Sequence, residues 1–258
     1  MDFIDKIKKK IPMEFNNLVN KAKKIRTEVL KLSLDKHEAH LGGSFSIVEI
    51  LLSLYDCILT EKDKFILSKG HASFPYFLML NEKGKNPAIS THPEIDLING
   101  IHCTTGSLGH GLPIGLGMAM ARKLKRKEGN IYVLMGDGEC QEGTTWESLL
   151  IGAHHKLNNL VVIVDYNKIQ ALGRVDEILS LNNLADKFKA FNWHVIEING
   201  HSFPEIILAL KNKSSEKPTA IIAHTIKGKG VSCFENEPRW HTRLPNEEEL
   251  KKALEELK

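Results

Sequence analysis

The chain has 258 residues with a near-even charge balance, 35 Lys and Arg against 32 Asp and Glu, and 42% of its residues are hydrophobic. A chain of that length buries roughly three quarters of its unfolded surface on folding, and this composition excludes a disordered, collagen-like or coiled-coil protein. A formal net charge of +3 predicts no nucleic-acid partner and no attraction to an anionic membrane.

The chain opens Met-Asp-Phe-Ile-Asp, with charges where a signal peptide needs an apolar core, so an untargeted, cytoplasmic protein is expected. Lys8-Lys9-Lys10 reads as a solvated face. Leu18, Ala22, Ile25, Val29 and Leu32 recur at steps of four and three, which predicts an amphipathic helix over 16–34. A second helix is predicted after Ser46, whose hydroxyl has Glu49 at the capping-box spacing, with Ile47, Ile50, Leu51, Leu54 and Ile58 as its apolar residues. The greasy stretch 47–59 is interrupted by Glu49, Ser53 and Asp56, so no bilayer span is expected.

From residue 65 the pattern changes. Short apolar runs at 65–67, 131–135, 160–164, 194–198 and 220–223 are rich in β-branched residues and too short for helices. Helical stretches at about 112–128, 144–157, 182–191 and 203–213 separate them, and a final surface helix is predicted from Asn246. Strands apolar on both faces that alternate with helices predict a mostly parallel α/β sheet with helices on both sides, as one domain over 1–258. Ligands of such sheets sit at the carboxyl ends of the strands. The cysteines, Cys57, Cys103, Cys140 and Cys233, form no CxxC pair and suit reduced thiols.

Chemistry is written at two of those strand ends. The run 131–135 leads into Gly136-Asp137-Gly138, and 160–164 leads into Asp165-Tyr166-Asn167. A carboxylate and an amide oxygen from neighbouring strand ends are hard ligands suited to Mg²⁺ or Ca²⁺, and a Mg²⁺ with few protein ligands completes its shell with water or phosphate. The glycines beside Asp137 permit close approach of main-chain amides to an anion, and the helix near 144–157 can turn its positive end the same way. Taken alone, Gly-Asp-Gly is a common turn, and Asp137 could simply cap the following helix.

Gly136-Asp137-Gly138 with Asn167 thirty positions from Asp137 resembles the thiamine diphosphate motif. Leu67-Ser68-Lys69-Gly70-His71-Ala72-Ser73, Thr91-His92-Pro93-Glu94, Thr104-Thr105-Gly106-Ser107-Leu108-Gly109-His110-Gly111 and the closing segment from His224 through Lys227 to Trp240-His241 resemble transketolase signatures, in transketolase order. The resemblance is to the N-terminal, diphosphate-binding half of a transketolase and covers nearly the whole chain. It implies one member of a split transketolase that transfers a two-carbon glycolaldehyde unit from a ketose, by default a sugar phosphate, to an aldose. A separate C-terminal subunit would supply the pyrimidine-binding domain and its catalytic glutamate, in an assembly of two copies of each. A 2-oxoacid dehydrogenase E1-like subunit, a 1-deoxyxylulose-5-phosphate synthase and a non-catalytic cofactor-binding module are the alternatives; a plain nucleotide-binding domain lacks its glycine-rich turn or P-loop here.

By this resemblance, Asp137, the Asn167 side chain and the main-chain oxygen of Ile169 bind the divalent cation, and Gly136 and Gly138 lie along the diphosphate. His71, Lys227 and His241 approach the diphosphate, His71 and His241 also standing near the substrate. His40 faces the reacting centre, and His92 reaches a terminal donor hydroxyl. Gly106 and Leu108 match positions that contact the aminopyrimidine and bend the cofactor, and Glu142 matches a residue that couples paired active sites. Imidazoles suit these roles because their ordinary pKa lies near neutrality. Three departures stand out: Ala39 and Leu41 replace the family's Gly and Pro around His40, and Thr242 replaces the Gly after His241. Lys227 could equally be a surface lysine, Glu142 a helix-start carboxylate, and His154, His155, His194 and His201 read as structural.

Overall fold

The computed structural model describes residues 12–258; the Lys8-Lys9-Lys10 cluster and the charged N-terminus lie outside the described residues. All five apolar runs form strands: β1 (Lys64–Leu67), β2 (Ile131–Gly136), β3 (Leu160–Tyr166), β4 (His194–Asn199) and β5 (Thr219–His224). They make one sheet in the order β1-β2-β3-β5-β4, every pairing parallel.

The strands alternate strictly between two cores. Tyr132 and Leu134 of β2, Val161 and Ile163 of β3, and Ile221 and Ala223 of β5 pack into one cluster. Their neighbours Val133, Met135, Val162, Val164, Ala220 and Ile222 pack into the other. Burial on both faces is why these strands read as unbroken apolar runs.

Helices α1 (Pro12–Lys36), α2 (Leu41–Phe45), α3 (Val48–Ser53), α4 (Ser73–Glu82) and α9 (Phe203–Lys211) contribute to the first cluster. The opposite face carries α5 (Gly111–Leu124), α6 (Gly143–His154), α7 (Val175–Leu179) and α8 (Leu184–Ala190). The terminal α10 (Glu247–Glu256) starts at Asn246, whose side chain accepts from the Glu249 N–H at 2.9 Å in a capping box.

Three expectations need correction. Ser46 does not cap the second helix, because its hydroxyl bonds Gly43 O and Asp165 Oδ2 instead, and α3 starts after Ile47. Glu49 is buried against Arg26, accepting at 2.7 Å from each of the two terminal guanidinium nitrogens. Segment Leu41–Ile58 is, by length and composition alone, apolar enough to span a membrane, contrary to the sequence reading; 78% of it is buried inside the protein. It is broken into α2, α3 and a π-helical turn at Leu54–Ile58, and α3 packs against α1, α4 and α9. Finally, α5 ends at Leu124, short of 128, and Arg126 turns the chain at φ 49° toward β2.

Candidate active site

Four strands deliver their carboxyl ends to one place. After β1 comes Ser68 to His71, after β2 Asp137 to Glu142, after β3 Asn167 to Gln170, and after β5 Thr225 to Lys227. They line a cleft of roughly 190 Å³ to which His71, Leu108, Gly136, Asp137, Gly138, Glu142, Asn167, Ile169, Lys227 and His241 all contribute. Gly42 and Gly43 of α2 close one side, since a side chain on Gly43 would stand 3.2 Å from His71 Nε2.

Beneath the cleft sits an ion pair that the sequence reading did not single out. Asp165 and Lys69 are both buried and bonded to each other. Asp165 also accepts from Ser46 at 2.7 Å, from Asn167 Nδ2 at 2.9 Å and from the Thr225 hydroxyl. Burial alone would raise the Asp165 carboxyl, but the Lys69 ammonium and these donors outweigh it and hold it below the usual carboxylate range. This carboxylate therefore stays ionised and fixes the rotamer of Asn167, leaving Asn167 Oδ1 to accept the Ile169 N–H at 3.1 Å.

Asp137 behaves oppositely. Among the described residues its carboxylate accepts main-chain N–H groups alone, from Gly138 at 2.8 Å and from Lys168, so it ties two strand ends together and does not cap α6. Burial, then the nearby Asp165 charge, pushes its pKa up to about 7. A buried carboxylate without a cationic hydrogen-bond partner, beside an amide oxygen and a main-chain carbonyl, has the donor chemistry of a hard-cation site. Among the described residues no group of three or more His, Cys, Asp and Glu could hold a metal, so such a cation would depend on ligands from water or phosphate.

The expected glycine amides are already taken. The Gly136 N–H donates to Glu139 Oε2 at 2.8 Å and the Gly138 N–H to Asp137 itself. Positive charge in the cleft comes instead from Lys227, which is only 2% exposed and so is no surface lysine. Its Nζ donates to Ile169 O at 3.0 Å and Gln170 O at 3.2 Å and lies 3.3 Å from His241 Nδ1. Burial and the Lys69 charge lower its pKa to about 8. Glu139, also unforeseen, is fully enclosed and accepts from Ser68 and from the Gly109 and Gly136 N–H groups, pinning the glycine loop at 106–111 to the end of β2. Glu142 stands at the start of α6 on the cleft wall, where a Cβ on Gly109 would come within 2.6 Å of it.

The four singled-out histidines converge. Ring centroids are 5.6 Å apart for His40 and His71, 5.2 Å for His40 and His241, 5.1 Å for His71 and His241, and 6.4 Å for His40 and His92. Gly106, at φ 151°, lies so close to His92 that a Cβ there would meet the ring at 3.2 Å. His40, His92 and Gly106 thus stand beside the cleft lining and extend it. His40 adopts a left-handed φ of 68° and donates its N–H to His241 O at 3.2 Å, which settles the backbone around the departures at Ala39 and Leu41. Its buried Nδ1 has no hydrogen-bond partner among the described residues. His40, His71 and His241 are not poised near neutrality as expected. Burial lowers His40, burial and then Lys69 hold His71 well below its usual range, and burial and then Lys227 take His241 to about 3. These imidazoles are neutral, able both to donate and to accept. His201, read as structural, bonds Glu49 at 3.0 Å and accepts the Ile226 N–H at 2.8 Å.

A doubly covered parallel sheet with an acidic strand-end loop, a strand-end asparagine and a lysine- and histidine-lined cleft defines a domain suited to an anionic ligand. Residues 35–257 match the family described as transketolase, thiamine diphosphate binding domain, and the chain belongs to that family. It is 35% identical to an apulose-4-phosphate transketolase subunit of Phocaeicola vulgatus over 95% of each chain. It is 36% identical to a 6-deoxy-6-sulfo-D-fructose transketolase subunit of a Clostridium species, over 84% of this chain and 88% of that one. Among solved structures, the transketolase of Campylobacter jejuni superposes with a TM-score of 0.84 at 30% identity, over 93% of this chain. The chain spans 42% of that transketolase's length.

Proposed function

We propose that the protein is the thiamine diphosphate-binding subunit of a two-subunit transketolase, which moves a two-carbon ketol unit from a ketose, of the sugar-phosphate class, to an aldose. The whole chain, 1–258, would act as one diphosphate-binding domain. The observation that carries the reading is the convergence of Asp137, Asn167, the Ile169 carbonyl, Lys227 and three neutral histidines on one strand-end cleft.

Asp137, Asn167 Oδ1 and Ile169 O would hold a divalent cation, Mg²⁺ or Ca²⁺, and a cation there would stabilise the ionised form of a carboxyl that burial otherwise raises. Lys227, His71 and His241 would face the diphosphate. When bound, thiamine diphosphate supplies the carbon–carbon chemistry. His40, whose buried Nδ1 has no partner among the described residues, and His92 beside it would accept or return a proton at substrate hydroxyls. Leu108, 39% exposed at the rim, and Gly106 would shape the cofactor's seat, and Glu142 would couple it to a second site.

Among the described residues, the two enclosed carboxylates beside Asp137 are committed elsewhere and would not perform the family's glutamate task. Glu139 is spent on Ser68 and two main-chain amides, and Asp165 on Lys69 and three side-chain donors. A partner subunit would bring that group, in an assembly of two copies of each chain. Exposed Ile95, Leu97 and Ile98 on the loop after His92 suit a covering partner. Both relatives named above are called transketolase subunits, which supports this organisation.

A coupled ketol-transfer assay with thiamine diphosphate and Mg²⁺ tests it, comparing the chain alone with the chain plus a transketolase C-terminal-type subunit. Activity is expected only in the mixture, and Asp137→Ala should abolish it. Transfer by rigorously purified chain alone, or turnover of pyruvate in place of ketoses, would overturn the assignment.

A further inference from the structure

We propose that the Lys227 ammonium and a divalent cation compete for the main-chain oxygen of Ile169, so that loading the cleft moves this lysine off the carbonyl and onto the incoming diphosphate. The inference rests on the cofactor reading above and deepens it. Lys227 Nζ spends its donors on Ile169 O, Gln170 O and His241 Nδ1, and the first of these oxygens is one of the three assigned to the cation. A metal bound to a carbonyl stands about 2.0–2.6 Å from the oxygen. With the ammonium 3.0 Å from the same atom, the two positive charges would lie no further apart than the sum of those distances, about 5 Å. At that separation in a buried site they repel strongly. A diphosphate reverses the sign of the coupling, since both cations are attracted to its oxygens.

The surroundings confine the motion to the side chain. The peptide that follows Lys227 is held by both of its polar groups, its carbonyl accepting the Asn236 N–H at 2.9 Å and the Gly228 N–H donating to Gly42 O at 2.9 Å, and on the other side the Ile226 N–H donates to His201 Nε2 at 2.8 Å. The stem lies against Gly42, where a Cβ would stand 2.9 Å from Lys227 Cγ and 3.0 Å from Cε. Lys227 borders the cleft together with Asp137, Gly138 and Asn167, so rotation about its terminal bonds would carry the amine from the carbonyl into the cleft, where a bound diphosphate would meet it. Lys227 would thus couple the two ligands, each binding more tightly when the other is present.

The test is a Mn²⁺ titration of the full chain, following free Mn²⁺ by electron paramagnetic resonance, with and without inorganic pyrophosphate. Lys227→Met should bind Mn²⁺ alone at least tenfold more tightly than wild type and should gain several-fold less affinity when pyrophosphate is added. Lys227→Gln, which keeps a polar end without the charge, should behave the same way and serves if the methionine variant misfolds. Equal Mn²⁺ affinity in wild type and variant, or no binding by either at millimolar Mn²⁺, overturns the competition. Asp137→Ala separates the two readings: if it leaves Mn²⁺ binding unchanged, the cation seat itself is misplaced and the cofactor reading falls with it.

Discussion

Asp137 and Asp165 show how one strand-end layer sets two carboxylates to different tasks. Both are buried, yet Asp165 is held low by Lys69 while Asp137, offered only main-chain donors, rises to about 7. The first is structural and keeps Asn167 in place; the second would be stabilised in its ionised form by a nearby positive charge. A third buried carboxylate, Glu49, lies away from the cleft between Arg26 and His201. The Ile226 N–H donates to His201 Nε2, so the ring proton sits on Nδ1 and points at Glu49. Burial would raise Glu49, but Arg26 and then His201 bring it to about 2 against an ordinary 4.5. A carboxyl whose folded pKa is depressed stabilises the fold above its unfolded pKa, and that contribution disappears as pH falls from about 4.5 to about 2. The shift corresponds to about 3 kcal/mol. Glu49→Gln should therefore cost roughly 3–5 kcal/mol at pH 6, where it leaves Arg26 buried and unpaired, and progressively less toward pH 2.5. Urea unfolding of both chains across that range checks it; a gap between them independent of pH would show that the ion pair contributes nothing.

At the scale of elements, what could be read in advance was what short-range pattern dictates. Four of the strands were legible because they are apolar on both faces, the edge strand β4 because Val195, Ile196 and Ile198 are β-branched although Glu197 is exposed, and α10 because a lysine- and glutamate-rich tail follows Asn246. Helix α4 was not, since Phe74, Pro75, Tyr76, Phe77, Met79 and Leu80 bury most of its circumference and leave no amphipathic period. Ser46 misled for the opposite reason: its local partner Glu49 lay at the right spacing, but the hydroxyl is drawn to Asp165, 119 positions away. The site histidines were recognisable only as parts of motifs, and neither the burial of Lys227 nor the role of Glu139 leaves a mark on neighbouring residues. Helix α5 carries a sharper test of packing. A Cβ on Gly115 would stand 2.5 Å from Val133 Cγ2 of β2, whereas one on Gly117 meets nothing within 4 Å. Gly115→Ala should destabilise the chain by about 1–3 kcal/mol through overpacking at the helix–sheet contact. Gly117→Ala should stabilise it by up to about 1 kcal/mol through helix propensity alone. Urea unfolding of the two variants decides this, and a loss of stability from Gly117→Ala would refute the packing assigned to α5.

For the whole molecule, the decisive quantity is how much of the cofactor one chain can enclose. A drug-sized ligand needs a pocket of about 300–1,000 Å³ to bury most of its surface. The cleft here offers roughly 190 Å³, its floor formed by strand ends and its polar groups gathered around Asp137 and Lys227. That suits the charged end of the cofactor and would leave the remainder to be covered by a partner, for which Leu108 at the rim and Ile95, Leu97 and Ile98 on the loop after His92 are exposed. Cofactor and partner then bind each other's complex more tightly than either binds this chain alone, because each completes a surface the other lacks. Ligand binding to the folded state stabilises it by an amount that grows with the ratio of ligand concentration to Kd, about 2.7 kcal/mol at a hundredfold excess over Kd. At fixed thiamine diphosphate and Mg²⁺, the melting temperature of the lone chain should therefore move by no more than about 1–2 °C, and that of the mixture by several degrees. The shift should vanish in Asp137→Ala, while the complex of the two subunits persists in size-exclusion chromatography. If the cofactor stabilises the lone chain as much as the mixture, the cleft is complete without a partner and the split-site architecture is wrong.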